Sequence, residues 1–325
     1  MLIPDVMLIP DVMLIPDVML IPDVMLISDV MLVTFVILRA KPEESYTTGK
    51  ETIMRLGTSS PLTHHTPQEW AENQVKLGCR AVVFPVQSNE LKEKIDAYKK
   101  AAEEHDLLIA EVGIWRNALA SDPDERARIR DYCVAQLKLA DYLGARCAVN
   151  VAGAFGPRWD GPYRENFTKE ARTETVKMVQ DIIDRAEVTN TYFTLEPMPW
   201  MIPTGPEDYL RLIEEVNRDR FAVHMDIINM TNSADRYFNA EEFVDKCAGL
   251  LGKRIRSCHI KDVHLKQEYT IQLEECAPGC GEFPLKHYVR KMHEIDPDMP
   301  IILEHLNTDE EYIRYMEYIK THIVN

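Results

Sequence analysis

From residue 52 onward, short apolar runs alternate eight times with longer stretches whose apolar positions recur every three or four residues. The first pattern predicts buried strands and the second amphipathic helices. Strands are expected at about 52–60, 80–86, 107–115, 145–153, 192–198, 221–229, 254–263 and 300–306. Helix ends are marked by capping residues. Thr66 before Pro67 opens the first helix and Gly78 ends it, Ser88 is expected to cap the second, Gly144 ends the third, Thr168 caps the fourth and Gly252 ends the sixth. Strands alternating with helices imply a parallel sheet covered on its outer face. Eight such units within residues 52–325 match the roughly 250 residues of a closed barrel. No GxGxxG or GxxxxGK[ST] phosphate loop is present. The expected fold is therefore α/β, a (β/α)8 barrel of the TIM type, forming one catalytic domain over residues 51–325.

Residues 1–50 break this pattern. MLIPDV occurs four times in tandem over 1–24, followed by MLISDV and MLVTFV. Pro and Asp interrupt every hexad, so the segment reads neither as a secretory signal nor as a membrane span. The expectation is a low-complexity extension without catalytic role: a disordered tail, an array of interacting strands, or an expansion upstream of the natural start.

Composition narrows the class of function. Hydrophobic residues make up 46% of the chain, enough for a large core, and the net charge of −16 argues against a nucleic-acid groove. There are seven cysteines and no CxxC pair, which disfavours a structural zinc site and suits free thiols in a reducing cytoplasm. No membrane partner is expected.

The candidate chemistry lies at the ends of the last four strands, which carry TLEP, HMDIIN, CHIKD and LEHL. Barrel enzymes place their reactive groups at the C-terminal ends of strands. Glu196, Asp226, His259 and Glu304 each sit within or just after an apolar run, where an ionisable group is costly unless paired or metal-bound. Four such residues on four consecutive strands converge on one point. Three carboxylates and an imidazole form a hard donor set suited to one divalent ion, Mn²⁺ first, with Mg²⁺ or Co²⁺ also compatible. The competing reading is a buried ion-pair network with His259 and Lys261 as its only cations. Cys258 should point away from His259 by strand alternation.

This Glu–Asp–His–Glu series, together with PGCGEF before the seventh helix, resembles the xylose-isomerase-like barrel superfamily of sugar phosphate isomerases and epimerases, over about residues 52–325. The resemblance implies that Glu196, Asp226, His259 and Glu304 are the metal ligands. It also has departures. Ketohexose 3-epimerases carry a second Glu six residues after the strand-five ligand, a His three residues after the Asp and an Arg six residues after the His. Here those positions are Ile202, Asn229 and Leu265. The same missing His argues against the multi-zinc endonucleases of the superfamily.

The expected function is a metal-dependent isomerase or epimerase of a small sugar or keto-polyol, with Glu196 and Glu304 moving protons through a metal-stabilised enediolate. The alternative is a lyase on a keto-sugar or polyol, an inositol dehydratase or a C-glycoside deglycosidase subunit, which PMPW after Glu196 and the NMTNSADRYF run from Asn229 resemble. The latter would need a small second subunit. A homo-oligomer is expected by resemblance, and a non-catalytic sugar-binding protein is the third class. His264 is a further candidate acid or base, or else a solvated loop residue. Trp115, Asn229, Lys261 and His65 are candidate substrate contacts, each with a packing, capping or ion-pair alternative. Lys261 and Asp262 could simply pair with each other. His64, Trp159, Trp200 and Asn150 are weaker candidates of the same kind. His224 shares the face of Asp226 and is expected to hold a ligand by a hydrogen bond from deeper in the barrel.

Overall fold

The computed structural model describes residues 21–27, 30–36 and 54–324. Contacts divide the chain into two units, Met1–Thr52 and Ile53–Asn325. In the first, Ile21–Ile27 pairs antiparallel with Val30–Val36, Ile27 opposite Val30. The expectations for the rest of residues 1–50, and for 52 and 53 as strand, lie outside the described residues.

The second unit contains eight parallel strands: β1 (Leu56–Thr58), β2 (Ala81–Val83), β3 (Leu108–Gly113), β4 (Cys147–Asn150), β5 (Phe193–Leu195), β6 (Phe221–Met225), β7 (Ile255–Ile260) and β8 (Ile301–Leu303). They pair in the order β1-β8-β7-β6-β5-β4-β3-β2. The Arg80 N–H donates to Leu56 O at 2.7 Å across the remaining seam, so the sheet is a nearly closed barrel. Gly57 makes this seam possible, because a Cβ there would lie 2.3 Å from Ala81 O. All the strands are shorter than their apolar runs, because the runs continue into loops that are buried but leave the ladder.

Eight helices cover the outside: α1 (Pro67–Leu77), α2 (Lys92–Glu104), α3 (Pro123–Leu143), α4 (Lys169–Ala186), α5 (Pro206–Val216), α6 (Ala240–Leu251), α7 (Leu285–Ile295) and α8 (Asp309–Tyr318). Thr66 caps α1 by accepting from Glu69 N–H, with Pro67 in the first turn and Gly78 left-handed at the end. Ser88 does not cap α2, which begins four residues later behind Leu91. The Ser88 N–H instead donates to Gln136 on α3 at 2.7 Å, and tertiary bonding overrides the local capping signal.

Between β7 and α7 an antiparallel ribbon, Asp262–Leu265 with Leu273–Cys276, rises beside the C-terminal mouth of the barrel. Asp262 fastens its base, with carboxylate oxygens accepting from the backbone N–H groups of Val263, Gly279, Gly281 and Phe283. The expected alternative pairing of Lys261 with Asp262 is therefore not what forms. Among the described residues no helix is long and apolar enough to cross a membrane.

Candidate metal centre

Each of the four expected ligands is delivered by the end of a strand. Glu196 and Glu304 directly follow β5 and β8, His259 lies inside β7, and Asp226 follows β6. Asp226 also caps the short helical turn Ile227–Met230, accepting from Asn229 N–H at 2.9 Å. All four side chains are buried, and each offers a ligand atom within 4.8 Å of the others. His259 Nδ1 is central, 2.8 Å from Glu304 Oε2 and 3.8 Å from both Glu196 Oε2 and Asp226 Oδ2.

This cluster packs three carboxylates against one imidazole and one ammonium, with His259 Nδ1 against Glu304 and Asp226 Oδ2 against Lys261. Burial, and then the neighbouring charge of Glu304, pushes the Glu196 carboxyl well above its usual range. Burial acts against the Asp226 and Glu304 carboxylates too, but Lys261 and His259 outweigh it and hold both low. The His259 imidazole is driven down by burial and up by Glu304, Glu111 and Glu196, and the carboxylates prevail. An oxygen-rich donor set whose ligand atoms converge on one point, with burial and the Glu304 charge raising the Glu196 carboxyl, fits a divalent cation. The residues present could hold one.

Lys261 is part of this cluster. Its Nζ lies 2.6 Å from Glu304, 2.7 Å from Asp226 and 3.2 Å from Glu275. Burial opposes the ammonium, but these three carboxylates outweigh it and keep it charged. Asn229 donates to Glu196 Oε1 at 2.8 Å. Beside the cluster opens a cavity of about 490 Å³ lined by Asn229, Asn232, Trp200, Leu273, Glu275 and His305, among others. Glu275, on the ribbon, also accepts from or pairs with His305 at 2.7 Å, and His305 lies 3.4 Å from Glu304.

Other expected residues stand apart. His264 lies on the outer part of the ribbon, 3.3 Å from Glu274, and does not touch the cluster. His65 is exposed and caps locally, its N–H donating to Glu69. His64 bonds Tyr98 and Leu62 O. Trp115 packs beside Gly113, where a Cβ would meet the indole nitrogen at 2.4 Å, and neither it nor Trp159 lines the cavity. Asn150 holds the backbone of Arg116 in both directions. Cys258 faces outward to Tyr288 on α7.

His224 requires a correction. Its ring stands edge-on to His259, centroids 4.1 Å apart, and neither nitrogen has a hydrogen-bond partner. Burial, with His259 beside it, lowers its pKa to about 4. The deeper bond to His259 comes instead from Glu111 on β3, 3.4 Å from Nε2. Sequence reading passed over Glu111, Glu275 and His305. A lone charge inside LLIAEVGIW was the available signal for Glu111, and the position next to Glu304 for His305. Nothing local marks Glu275.

The family profile of the xylose isomerase-like TIM barrel matches residues 72–322. No curated protein matches the chain in sequence. Solved structures share the fold. The 3-keto-D-glucoside 4-epimerase of E. coli is 16% identical, with TM-score 0.61 over 82% of this chain and 99% of that one. D-psicose 3-epimerase from Clostridium cellulolyticum, solved with D-tagatose, is 15% identical, with TM-score 0.58 over 81% and 89%. A xylose isomerase-like TIM barrel protein from Mycobacterium smegmatis in complex with magnesium is 16% identical, with TM-score 0.59 over 81% and 92%.

Proposed function

The chain belongs to the xylose isomerase-like TIM barrel family, and from that premise we propose that it is a divalent-metal-dependent isomerase or epimerase of an uncharged sugar or keto-polyol. The observation that carries this reading is the convergence of Glu196, Asp226, His259 and Glu304, all buried, at the mouth end of four adjacent strands. Two of the similar structures are sugar epimerases by their descriptions, which supports the substrate class. Manganese is the proposed ion, on the basis of three carboxylates and one imidazole.

These four side chains would hold the ion, which when bound would polarise a substrate carbonyl and offset charge developing on its oxygen. Glu196 and Glu304 come from β5 and β8, at the two ends of the ligand arc, a placement suited to taking a proton from one substrate atom and returning it to another. Asn229 holds Glu196 in place. Arg158 in the cavity wall is paired with Asp160 through two contacts, and Lys261 is already matched by three carboxylates. His305 is likewise paired with Glu275, so among the described residues the cations near the cavity already have acidic partners, which supports an uncharged polyol.

The test is solvent exchange. With Mn²⁺ and a panel of ketoses and 3-keto-glycosides in D2O, one substrate should incorporate deuterium beside its carbonyl, with an isomer or epimer as product. Glu196→Gln or Glu304→Gln should each lower kcat by at least about 100-fold. Elimination products would replace this reading with a lyase, and full turnover by either variant would remove the assigned proton-transfer roles.

A further inference from the structure

Glu111, on β3, is a fully buried carboxylate outside the four-ligand set that shares His259 with it. A buried carboxylate costs several kcal/mol unless its charge is compensated, so its partners show what it is for. Ser257 Oγ donates to its Oε1 in a short hydrogen bond. His259 Nε2 lies 3.4 Å from Oε2, and His224 Nδ1 lies 3.5 Å from Oε1 without hydrogen-bond geometry. Its backbone explains how it gets there. The pairing of β2 with β3 shifts register between Val82 and Val83, so that Ala81 faces Leu108 but Val83 faces Glu111. A bulge of this kind re-aims a side chain. It turns Glu111 across the interior toward β7, where Ser257 and His259 share one face of the strand.

The consequence concerns which nitrogen of His259 faces the four-ligand centre. A neutral imidazole carries one proton, and the group bonded to one nitrogen decides where that proton sits. Glu111 can only accept at Nε2, so the other nitrogen, Nδ1, which faces Glu196, Asp226 and Glu304, is the one that would give up its proton to an ion. His224 packs edge-on against the ring, centroids 4.1 Å apart. We propose that Glu111, clamped by Ser257, is a positioning residue that fixes His259 as an Nδ1 metal ligand. This rests on the metal reading above. Carboxylates that accept from a ligand histidine typically change metal affinity 10- to 100-fold when removed.

The experiment is a Mn²⁺ titration followed by the EPR signal of free ion, on wild type, Glu111→Gln and Ser257→Ala. Glu111→Gln should weaken binding about 10- to 100-fold, and Ser257→Ala by a smaller factor, with cooperative urea unfolding of the EDTA-treated proteins showing that each variant is folded. Long-range proton–nitrogen spectra of Mg²⁺-loaded, ¹⁵N-histidine-labelled wild type should show His259 protonated at Nε2 and bare at Nδ1. That readout needs no variant to fold. Unchanged Mn²⁺ affinity in a folded Glu111→Gln protein, or a proton on Nδ1 in the loaded wild type, overturns the proposal alone. A wild type that binds neither ion overturns the metal reading as well.

Discussion

Lys261 shows how much one side chain can alter the balance of this centre. It is 1% exposed and touches Asp226, Glu304 and Glu275. Removing one partner of a buried ionic group leaves uncompensated charge, at about 3–5 kcal/mol. Lys261→Met should lower the urea stability of the EDTA-treated protein by that order, and added Mn²⁺ should recover part of the loss. Protons report on the same balance. Because the carboxyl of Glu196 is raised in the free protein and a ligand must be deprotonated, binding Mn²⁺ should expel protons below that pKa. Affinity should fall as pH falls through it. Calorimetry in pairs of buffers of different ionisation heat across a pH series checks this, and equal heats at every pH would contradict it. His224 gives a stability signature. Its folded pKa of about 4 lies below the ordinary 6.5, so the unfolded chain binds more protons between these values. Stability from this residue is intact above pH 6.5 and falls toward pH 4, by on the order of 3 kcal/mol. Urea midpoints of wild type should slope more steeply over that window than those of His224→Asn.

At the level of elements, loops and caps divide the work. Asp262 binds four backbone N–H groups at the foot of the ribbon that carries Glu275. Asp262→Ala should expose the segment 266–282 to limited proteolysis while the barrel stays protected, and the cleavage sites located by mass spectrometry decide it. Much of this level could be read from sequence. Thr66-Pro67, Gly78, Gly144 and Thr168 mark helix ends because a cap is a local contact. Glu196, Asp226 and Glu304 stood out because each follows an apolar strand directly. What escaped was non-local. Ser88 is claimed by Gln136, 48 residues away. Glu111 is turned inward by a register shift that depends on the neighbouring strand. Glu275 reaches Lys261 only because the ribbon pairs back on itself beside the mouth.

Across the whole molecule, ion binding and folding should be linked. An ion that binds only the folded chain stabilises it by RT ln(1 + [L]/Kd), about 4 kcal/mol at a thousandfold excess over Kd. Thermal unfolding of the second unit should therefore shift upward with Mn²⁺ concentration and return to the lower value with EDTA, and a midpoint indifferent to Mn²⁺ would argue against a site of that affinity. The place of the barrel's seam bears on how the candidate centre would survive a partial opening of the ring. The β5–β8 strands form an uninterrupted arc, and the thinly bonded junction of β1 with β2 lies outside it. If the ring loosens anywhere first, it is at that latch, as a clasp opens before the chain of a necklace parts. The four candidate donors would then stay side by side, so the arrangement proposed to hold an ion would outlast an opening of the ring.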